Sequence, residues 1–380
     1  MMTHRFWNNP LVPQKNISES NYGIVSNVSI EDFSSQPLKL PPGFEWTTLD
    51  VNDQSQLKEM QDMLHENYVK DNKFSLFYSK ELIQWLLTPP GYIKEWHIGV
   101  RTSNNGLLVG IITGVPVTLI IEGAEVKSVQ INFLCVHSKL RGKRMTPILI
   151  REITRLVGRT GDYHAACHTS GTLLPNSVGW AQYHHRLLNV RKLVETGFHN
   201  QKITLSMANK LYSVPSQVSI QGLRLLRSED IQQAVGLLSQ HLSKFAISQK
   251  MSLTEAQHLL LPREGVVYTY VTPTVKDLVS FYILPSSVSN NSKHSLINTA
   301  YIQHVVATSV SPVELMSNAL TLAKQLGIDV MNCLDIMDSQ NFRDELKFLK
   351  GSGGVYYYLH NWKLGKDSHF LPHQIGMVIP

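Results

Sequence analysis

The chain has 380 residues, 43% of them hydrophobic and 17% charged, so a sizeable core is available and wholesale disorder is excluded. Lys plus Arg (35) against Asp plus Glu (29) leaves a net charge of +6, a modest excess that favours an anionic ligand without demanding nucleic acid. Three scattered cysteines, Cys135, Cys167 and Cys333, make no disulfide framework and fit a reducing compartment.

At about 150 residues per domain, the length fits two or three domains or one two-lobed body. The longest uncharged stretch, Gly106 to Ile121, is shorter than the roughly 20 residues of a spanning helix and is broken by Gly110, Gly114 and Pro116. The opening Met1-Met2-Thr3-His4-Arg5-Phe6-Trp7 lacks the apolar core of a signal peptide. The expectation is a soluble, cytoplasmic protein.

From the N-terminus, residues 1–40 are polar and proline-bearing without a period, which predicts an extended arm. Asp53 is placed to cap a helix carrying Leu57, Met60, Leu64 and Tyr68 at helical spacing. Ser79 is placed to cap a second through Leu82, Trp85 and Leu86, stopped by Pro89-Pro90-Gly91. Strand-like runs follow at 96–101, 107–113, 117–121 and 126–136; in the last, Val129, Ile131, Phe133 and Cys135 share a face. A basic loop, a helix opened by Thr146-Pro147 and a strand near 163–167 come next.

This order then recurs. A helix through Ile231, Val235, Leu238 and Leu242 is followed by Thr254 to Pro262, which echoes Ser79 to Pro89. Leu278 to Pro285 echoes Leu108 to Pro116, and Ser311-Pro312 opens a helix as Thr146-Pro147 does. The three proline pairs are offset by 173, 169 and 165 residues. A shared order with a steady drift predicts two copies of one α/β unit.

The copies differ where chemistry would sit. The first carries Val136-His137-Ser138-Lys139-Leu140-Arg141-Gly142-Lys143-Arg144-Met145-Thr146-Pro147 between strand and helix; the second has Val305 to Pro312 there, with no basic residue. A cationic loop leading into a helix N-terminus is a cradle for pyrophosphate. The first copy therefore reads as a site for a phosphorylated cofactor, and the second as free for another ligand. Arg151, Arg155 and Arg159 lie on one helix face, either extending that site or facing solvent, and no nucleic-acid recognition motif accompanies them. His164 and His168 are four apart and His184-His185 are adjacent, but no zinc spacing or HExxH occurs, so no metal is expected. Lys350-Gly351-Ser352-Gly353-Gly354 reads as a turn before Tyr356-Tyr357-Tyr358 rather than as a phosphate loop.

The segment Ile131-Asn132-Phe133-Leu134-Cys135-Val136-His137, with the basic loop and Pro147 to Arg155, closely resembles the N-myristoyltransferases (glycylpeptide N-tetradecanoyltransferases). The likeness runs nearly end to end, through Arg5-Phe6-Trp7, Leu40 to Trp46, Glu66 to Val69, Leu173-Leu174-Pro175, Tyr183, His185-Arg186, Phe281-Tyr282, Leu284-Pro285-Ser286 and Asn361-Trp362-Lys363.

The resemblance implies an α/β fold of two tandem GNAT-like (acyl-CoA N-acyltransferase) lobes related by pseudo-twofold symmetry. It divides the chain into an arm (1–40), an N-terminal lobe for myristoyl-CoA (41–210) and a C-terminal lobe for the peptide (211–380). Myristoyl-CoA is then a co-substrate, no cofactor is tightly bound, and the acceptors are proteins or peptides with an N-terminal glycine, often with Ser or Thr further along. By resemblance, Arg5, Phe6, Trp7, Phe133, Leu134, Cys135, Val136, Arg141, Gly142, Lys143, Arg144, Met145 and Thr146 form the acyl-CoA site. The backbone N–H groups of Phe133 and Leu134 serve as an oxyanion hole, Thr169 accepts from the incoming amine, and the terminal carboxylate, here that of Pro380, is the base. The peptide set is Tyr68, Asp71, Phe74, Thr169, Gly171, Tyr183, His185, Ser286, Tyr301, Asn332 and Asp335. A monomer without a membrane span is expected, and a peripheral association with ribosome or membrane is compatible with it.

The sequence departs from the family pattern at Gln130, Ser138, His168, His184 and the Gly351 loop. It also departs at Val69-Lys70-Asp71-Asn72-Lys73, where only Asp71 stands in place of several acids that hold substrate lysines. Two alternatives stay open: an acyltransferase using another chain length or acceptor, and a pseudoenzyme that binds acyl-CoA or peptide without turnover.

Overall fold

A computed structural model describes residues 23–26, 29–69, 73–200, 202–365 and 369–380. The first half runs β1 (Gly23–Ile24), β2 (Phe44–Thr48), α1 (Gln54–Asn67), β3 (Phe74–Leu76), α2 (Lys80–Leu87), β4 (His97–Thr102), β5 (Leu108–Ile121), β6 (Ala124–Val136), α3 (Met145–Gly158), β7 (Ala165–Ser170) and β8 (Gly179–Leu187). Helices α4 (Val190–Glu195) and α5 (Leu205–Leu211) lead to β9 (Arg224–Leu225), α6 (Ile231–Leu242), β10 (Ile247–Lys250), α7 (Leu253–Leu260), β11 (Val267–Val271), β12 (Asp277–Ile283), β13 (Ser286–Val288) and β14 (Leu296–Ile297). The chain continues with β15 (Thr299–Ala307), α8 (Pro312–Gln325), β16 (Val330–Leu334), α9 (Gln340–Arg343), β17 (Leu349–His360), β18 (Trp362–Lys363) and β19 (Ile375–Gly376).

The expected caps set the helices. The Asp53 carboxylate accepts the N–H groups of Ser55 (2.8 Å) and Gln56 (3.1 Å), Ser79 Oγ accepts that of Leu82 (3.1 Å), and Ser311 Oγ that of Glu314 (3.1 Å). Helix α3 starts at Met145, one residue earlier than Thr146-Pro147 suggests, with Arg144 in the left-handed region before it. The runs expected at 107–113 and 117–121 are one strand, β5. Its first part pairs with β4 up to Thr113 and its last part with β10 from Thr118. Pro116 falls in the gap between these partners, where a missing N–H costs least.

The repeat is visible in the sheet. Strand order is β2-β4-β5-β6-β7 in the first half and β9-β11-β12-β15-β16 in the second, with the last pair parallel in each. Each half then lends a strand to the other. β8 pairs with β16 of the second half, β17 pairs with β7 of the first, and β8 and β17 pair with each other between them. The same reciprocity joins β10 to the end of β5, and β3 to β13. Helices α2 and α7 are tied across this relation: Trp85 Nε1–H donates to the His258 carbonyl (3.0 Å), and His258 Nε2 bonds the Trp85 carbonyl (2.7 Å).

Apolar clusters fill the space between helices and sheet. Leu57, Met60, Leu82 and Trp85 pack α1 and α2 on the first half, and Leu315, Met316, Ala319 and Leu320 seat α8 on the second. The arginine stripe on α3 faces solvent only in part. Arg155 is buried against Glu152 (2.5 Å) and donates to the Ser34 carbonyl (2.9 Å), and Arg159 donates to that of Phe33 (3.2 Å). With Leu38 N–H on Glu152 (2.9 Å), these bonds hold residues 33–38 along the helix. Of the three, Arg151 and Arg159 remain exposed and Arg155 is buried. Among the described residues no helix is long and apolar enough to cross a membrane.

Candidate active site

The wedge between β6 and β7 positions the site. The two strands pair in parallel only at Ser128↔Ala165, Val129↔Ala166 and Gln130↔Cys167, and then diverge. At the point of divergence β6 bulges. Ile112 faces Leu134 and Gly114 faces Ile131, so Asn132 and Phe133 together oppose Thr113. The Phe133 N–H, turned out of the ladder, donates to Thr113 Oγ1 at 3.2 Å.

A cavity of about 510 Å³ fills the wedge, within the range of small-molecule sites. Its walls are mostly apolar, from Val129, Ile131 and Leu134 on β6 and Ile150, Ile153 and Val157 on α3. Its lining includes Thr146, Arg151, Tyr68, His168 and Thr169 on the side where the strands diverge, and Gly158, Tyr163 and His164 toward the start of β7. Such a space suits a long apolar chain with its polar head on the divergent side.

The cationic loop lies at the α3 end. Gly142 (φ 77°) and Arg144 (φ 63°) adopt left-handed backbone around the reversal, which at Gly142 costs nothing for want of a Cβ. Asn67, buried at the end of α1, pins the loop: its Oδ1 accepts the Ser138 N–H (2.9 Å) and its carbonyl accepts from the Arg141 guanidinium. Arg141, Gly142, Lys143, Arg144 and Thr146 are exposed around the helix N-terminus, where charge and dipole favour an anion.

The remaining acyl-CoA candidates sort by side chain. Phe133 is 1% exposed and meets Tyr78 and Tyr68 edge-on at 5.1 and 5.8 Å, so its side chain belongs to the core rather than to the cavity wall. Cys135, Val136 and Met145 are likewise core residues, and burial pushes the Cys135 thiol up to about 12, an inert thiol. Leu134 and Thr146 line the cavity directly. Arg5, Phe6, Trp7 and Asp71 lie outside the described residues.

The peptide candidates fall into two groups. Thr169 lines the cavity with Tyr68, whose hydroxyl donates to the Asn132 carbonyl (3.3 Å) and whose pKa burial pushes up to about 12. Gly171 is exposed just beyond β7. The second group sits on β8, β15 and β16: Tyr183 and Tyr301 meet edge-on at 5.8 Å, and His185 Nδ1 bonds Asn332 Oδ1 at 2.6 Å. Burial holds the His185 imidazole below its ordinary pKa, so it is neutral. Phe198 joins this group to Phe74, lying 5.6 Å from His185 and 6.0 Å from Phe74. Asp335 is engaged by the Gln182 N–H (2.7 Å), and Ser286 is buried on β13.

The glycine run at 351–354 is not a simple turn. It is a register shift in β17 against β8, and a Cβ on Gly351 would lie 2.3 Å from His185 Nε2. The loop therefore closes over the His185–Asn332 pair.

Three cavity residues escape a reading of the sequence. Asn132 is 8% exposed and both polar atoms of its carboxamide lack a partner among the described residues. An asparagine inside the apolar run Ile131 to Val136 was the available signal. His168 and His360 share a hydrogen bond (Nδ1 to Nε2, 3.0 Å) and stack at 4.9 Å on the cavity wall, with Tyr358 on the other face of His168 at 4.6 Å. Burial holds both imidazoles well below their ordinary pKa, His360 at about 4.

The C-terminal tail enters from the second half. Ile375–Gly376 runs parallel to Ile247–Ser248, the Met337 N–H donates to the Ile375 carbonyl (3.1 Å), and Tyr357 Oη–H donates to that of Met377 (3.0 Å). Val378 packs between the two largest apolar clusters, and Pro380 is half-buried.

Comparison with known proteins follows this geometry. The family model for the Myristoyl-CoA:protein N-myristoyltransferase N-terminal domain matches residues 24–181, and that for the C-terminal domain matches 195–378. The chain is 41% identical to Glycylpeptide N-tetradecanoyltransferase 2 of Danio rerio, covering 99% of this chain and 77% of that one. It is also 41% identical to the glycylpeptide N-tetradecanoyltransferase of Dictyostelium discoideum, with 99% and 92% covered. A crystal structure of Saccharomyces cerevisiae N-myristoyltransferase with bound myristoyl-CoA superposes with a TM-score of 0.90 at 35% identity, over 96% of this chain and 94% of that one. By sequence along its length and by fold, the chain belongs to the N-myristoyltransferase family.

Proposed function

We propose that this chain transfers the tetradecanoyl group of myristoyl-CoA to the N-terminal glycine amine of proteins. The observation that carries this reading is the wedge: an apolar cavity whose divergent side holds a cationic helix N-terminus, a bulged strand and Thr169. The anionic CoA head belongs at Arg141, Gly142, Lys143, Arg144 and Thr146, with Arg5, Phe6 and Trp7 of the arm completing that site. The acyl chain belongs along Ile131, Leu134 and Ile153.

At the bulge the thioester oxygen takes the N–H groups of Phe133 and Leu134, replacing the Thr113 hydroxyl on the former. The glycine ammonium gives its proton to the Pro380 carboxylate, which sits half-buried at the end of an apolar tail. The free amine, oriented by Thr169 and Asn132, attacks the carbonyl carbon. The resulting oxyanion is stabilised by the backbone donors; its collapse breaks the C–S bond, and the proton that the nitrogen sheds passes to the departing sulfur, giving the amide and CoA thiol. The rest of the peptide lies over Tyr68, Asp71, Phe74, Gly171, Tyr183, His185, Ser286, Tyr301, Asn332 and Asp335. In this reading residues 1–40 are the arm, 41–210 the acyl-CoA lobe and 211–380 the peptide lobe of a cytoplasmic monomer.

The test is CoA release from myristoyl-CoA with a Gly-x-x-x-Ser peptide, beside a variant extended by a few residues after Pro380. Turnover lost on extension supports the terminal carboxylate as base. Turnover that survives moves the base elsewhere, with neutral His185 the first candidate. Tight acyl-CoA binding with no turnover in either protein replaces the enzyme by a binding protein.

A further inference from the structure

The repeat makes a second wedge. β15 and β16 pair in parallel at Thr299↔Val330, Ala300↔Met331 and Tyr301↔Asn332 and then diverge, as β6 and β7 do after Gln130↔Cys167. A cavity of about 290 Å³ opens there, closed by α6 and α9 and separate from every residue of the first cavity. Ile302, Val305, Cys333, Leu334 and Phe342 give it an apolar side, which faces polar groups on α6 and around α9.

The loop that would cradle phosphate is already taken. Asp277, 0% exposed, accepts the N–H groups of Thr308 (2.7 Å), Ser309 (2.8 Å) and Val310 (3.3 Å), and the Ser309 hydroxyl as well. Burial alone would push this carboxyl up, but those hydrogen bonds outweigh it and hold it below its ordinary value. A fixed internal anion thus fills the place that open amides and four cations offer in the first half, which excludes a phosphorylated ligand.

Two polar atoms on the wall remain unanswered. His241 is 7% exposed and Ser339 is 7% exposed, and neither His241 Nε2 nor Ser339 Oγ has a hydrogen-bond partner among the described residues. Asp338, next to Ser339 in the chain, brings Oδ2 to 3.9 Å from His241 Nε2, beyond hydrogen-bonding reach, so the segment that carries Ser339 runs beside His241 on the chamber wall. Burial and the nearby Lys244 keep the imidazole neutral. Buried polar atoms left unpaired cost free energy that a ligand can recover.

We propose that this second wedge binds a small uncharged amphiphile, an aliphatic body with one alcohol or carboxamide head that bonds Ser339 Oγ and His241 Nε2. The chamber holds roughly ten non-hydrogen atoms at the volume of a water-sized group. Asp338 on the wall disfavours an anionic head, and Lys244, also on the wall and 3.9 Å from Asp338, disfavours a cationic one.

The probe is hexanamide, titrated into the full chain labelled with 15N-histidine, with the His241 imidazole resonances as the site-specific readout. Saturable shifts of His241 are expected, with affinity about fivefold weaker in Ser339→Ala and lost in Val305→Phe, which fills the chamber. Thermal midpoints check that both variants are folded, and Ser339→Ala keeps the proposal testable if Val305→Phe is not. Hexanoate is expected to bind at least tenfold more weakly than hexanamide. The proposal is overturned if His241 does not move up to the solubility limit, if affinity is unchanged in the folded variants, or if hexanoate binds equally well.

Discussion

Thr113 offers the sharpest probe of the bulge. It is 0% exposed, and its hydroxyl accepts the Phe133 N–H at 3.2 Å. Thr113→Val keeps the shape and the strand preference but leaves that N–H buried without an acceptor, a loss of about 1–3 kcal/mol. With unfolding entropy near 2.1 cal/mol/K per residue, a chain of 380 residues has about 0.8 kcal/mol/K, so Tm should drop by about 1–4 °C. If the thioester oxygen occupies the same N–H, a non-hydrolysable myristoyl-CoA analogue supplies the missing acceptor, and the gap between variant and parent should narrow by at least half. Differential scanning fluorimetry with and without the analogue reads both numbers. An equal gap in the two conditions refutes the assignment of this N–H to the reacting carbonyl, and no gap without ligand refutes the bond itself.

Asn132→Leu removes a buried carboxamide with no partner, and should raise stability by about 1 kcal/mol in urea unfolding while lowering kcat, because the orphan amide is kept for substrate. Gly351→Ala drives a methyl into His185 Nε2, and should raise the peptide KM about tenfold or more with acyl-CoA affinity unchanged, as calorimetry would show. His97, His304 and His360 are held neutral by burial, each at about 4. Below about 6.5 the unfolded chain takes up protons that the folded chain refuses, so stability present above that pH is lost on acidification towards 4. Each histidine contributes about 1.4 kcal/mol per pH unit; His304→Phe should flatten the dependence of the urea midpoint between pH 7 and 5 by that amount. Because Lys70 and Lys73 flank Asp71, the single acid of that segment, a peptide series varying the substrate lysine should show a weak dependence of KM on that residue.

Punctuation made much of the fold readable. Asp53, Ser79 and Ser311 cap their helices through local bonds, and prolines at matching places marked the repeat before any strand was paired. The cationic loop before α3 was equally plain, since its chemistry resides in consecutive residues. What stayed hidden depends on distant partners. The bulge at Asn132 and Phe133 exists only in register with Thr113, and Asp277 reaches a loop more than 30 residues away. Arg155 read as a surface residue because its partner, the Ser34 carbonyl, lies 121 positions earlier. The exchange of β8 and β17 leaves no local trace, because a strand looks the same whichever sheet receives it.

That exchange has a consequence for how the molecule can have arisen and how it can come apart. A duplicated unit whose final strand stays at home can be cut loose and still fold; here each copy has surrendered that strand to its twin. Severing the chain near residue 215 therefore yields two fragments with an unfilled slot apiece, each shaped for the strand that the other carries. Neither should persist alone, yet the pair, expressed together, should reassemble as a two-piece protein with both wedges restored.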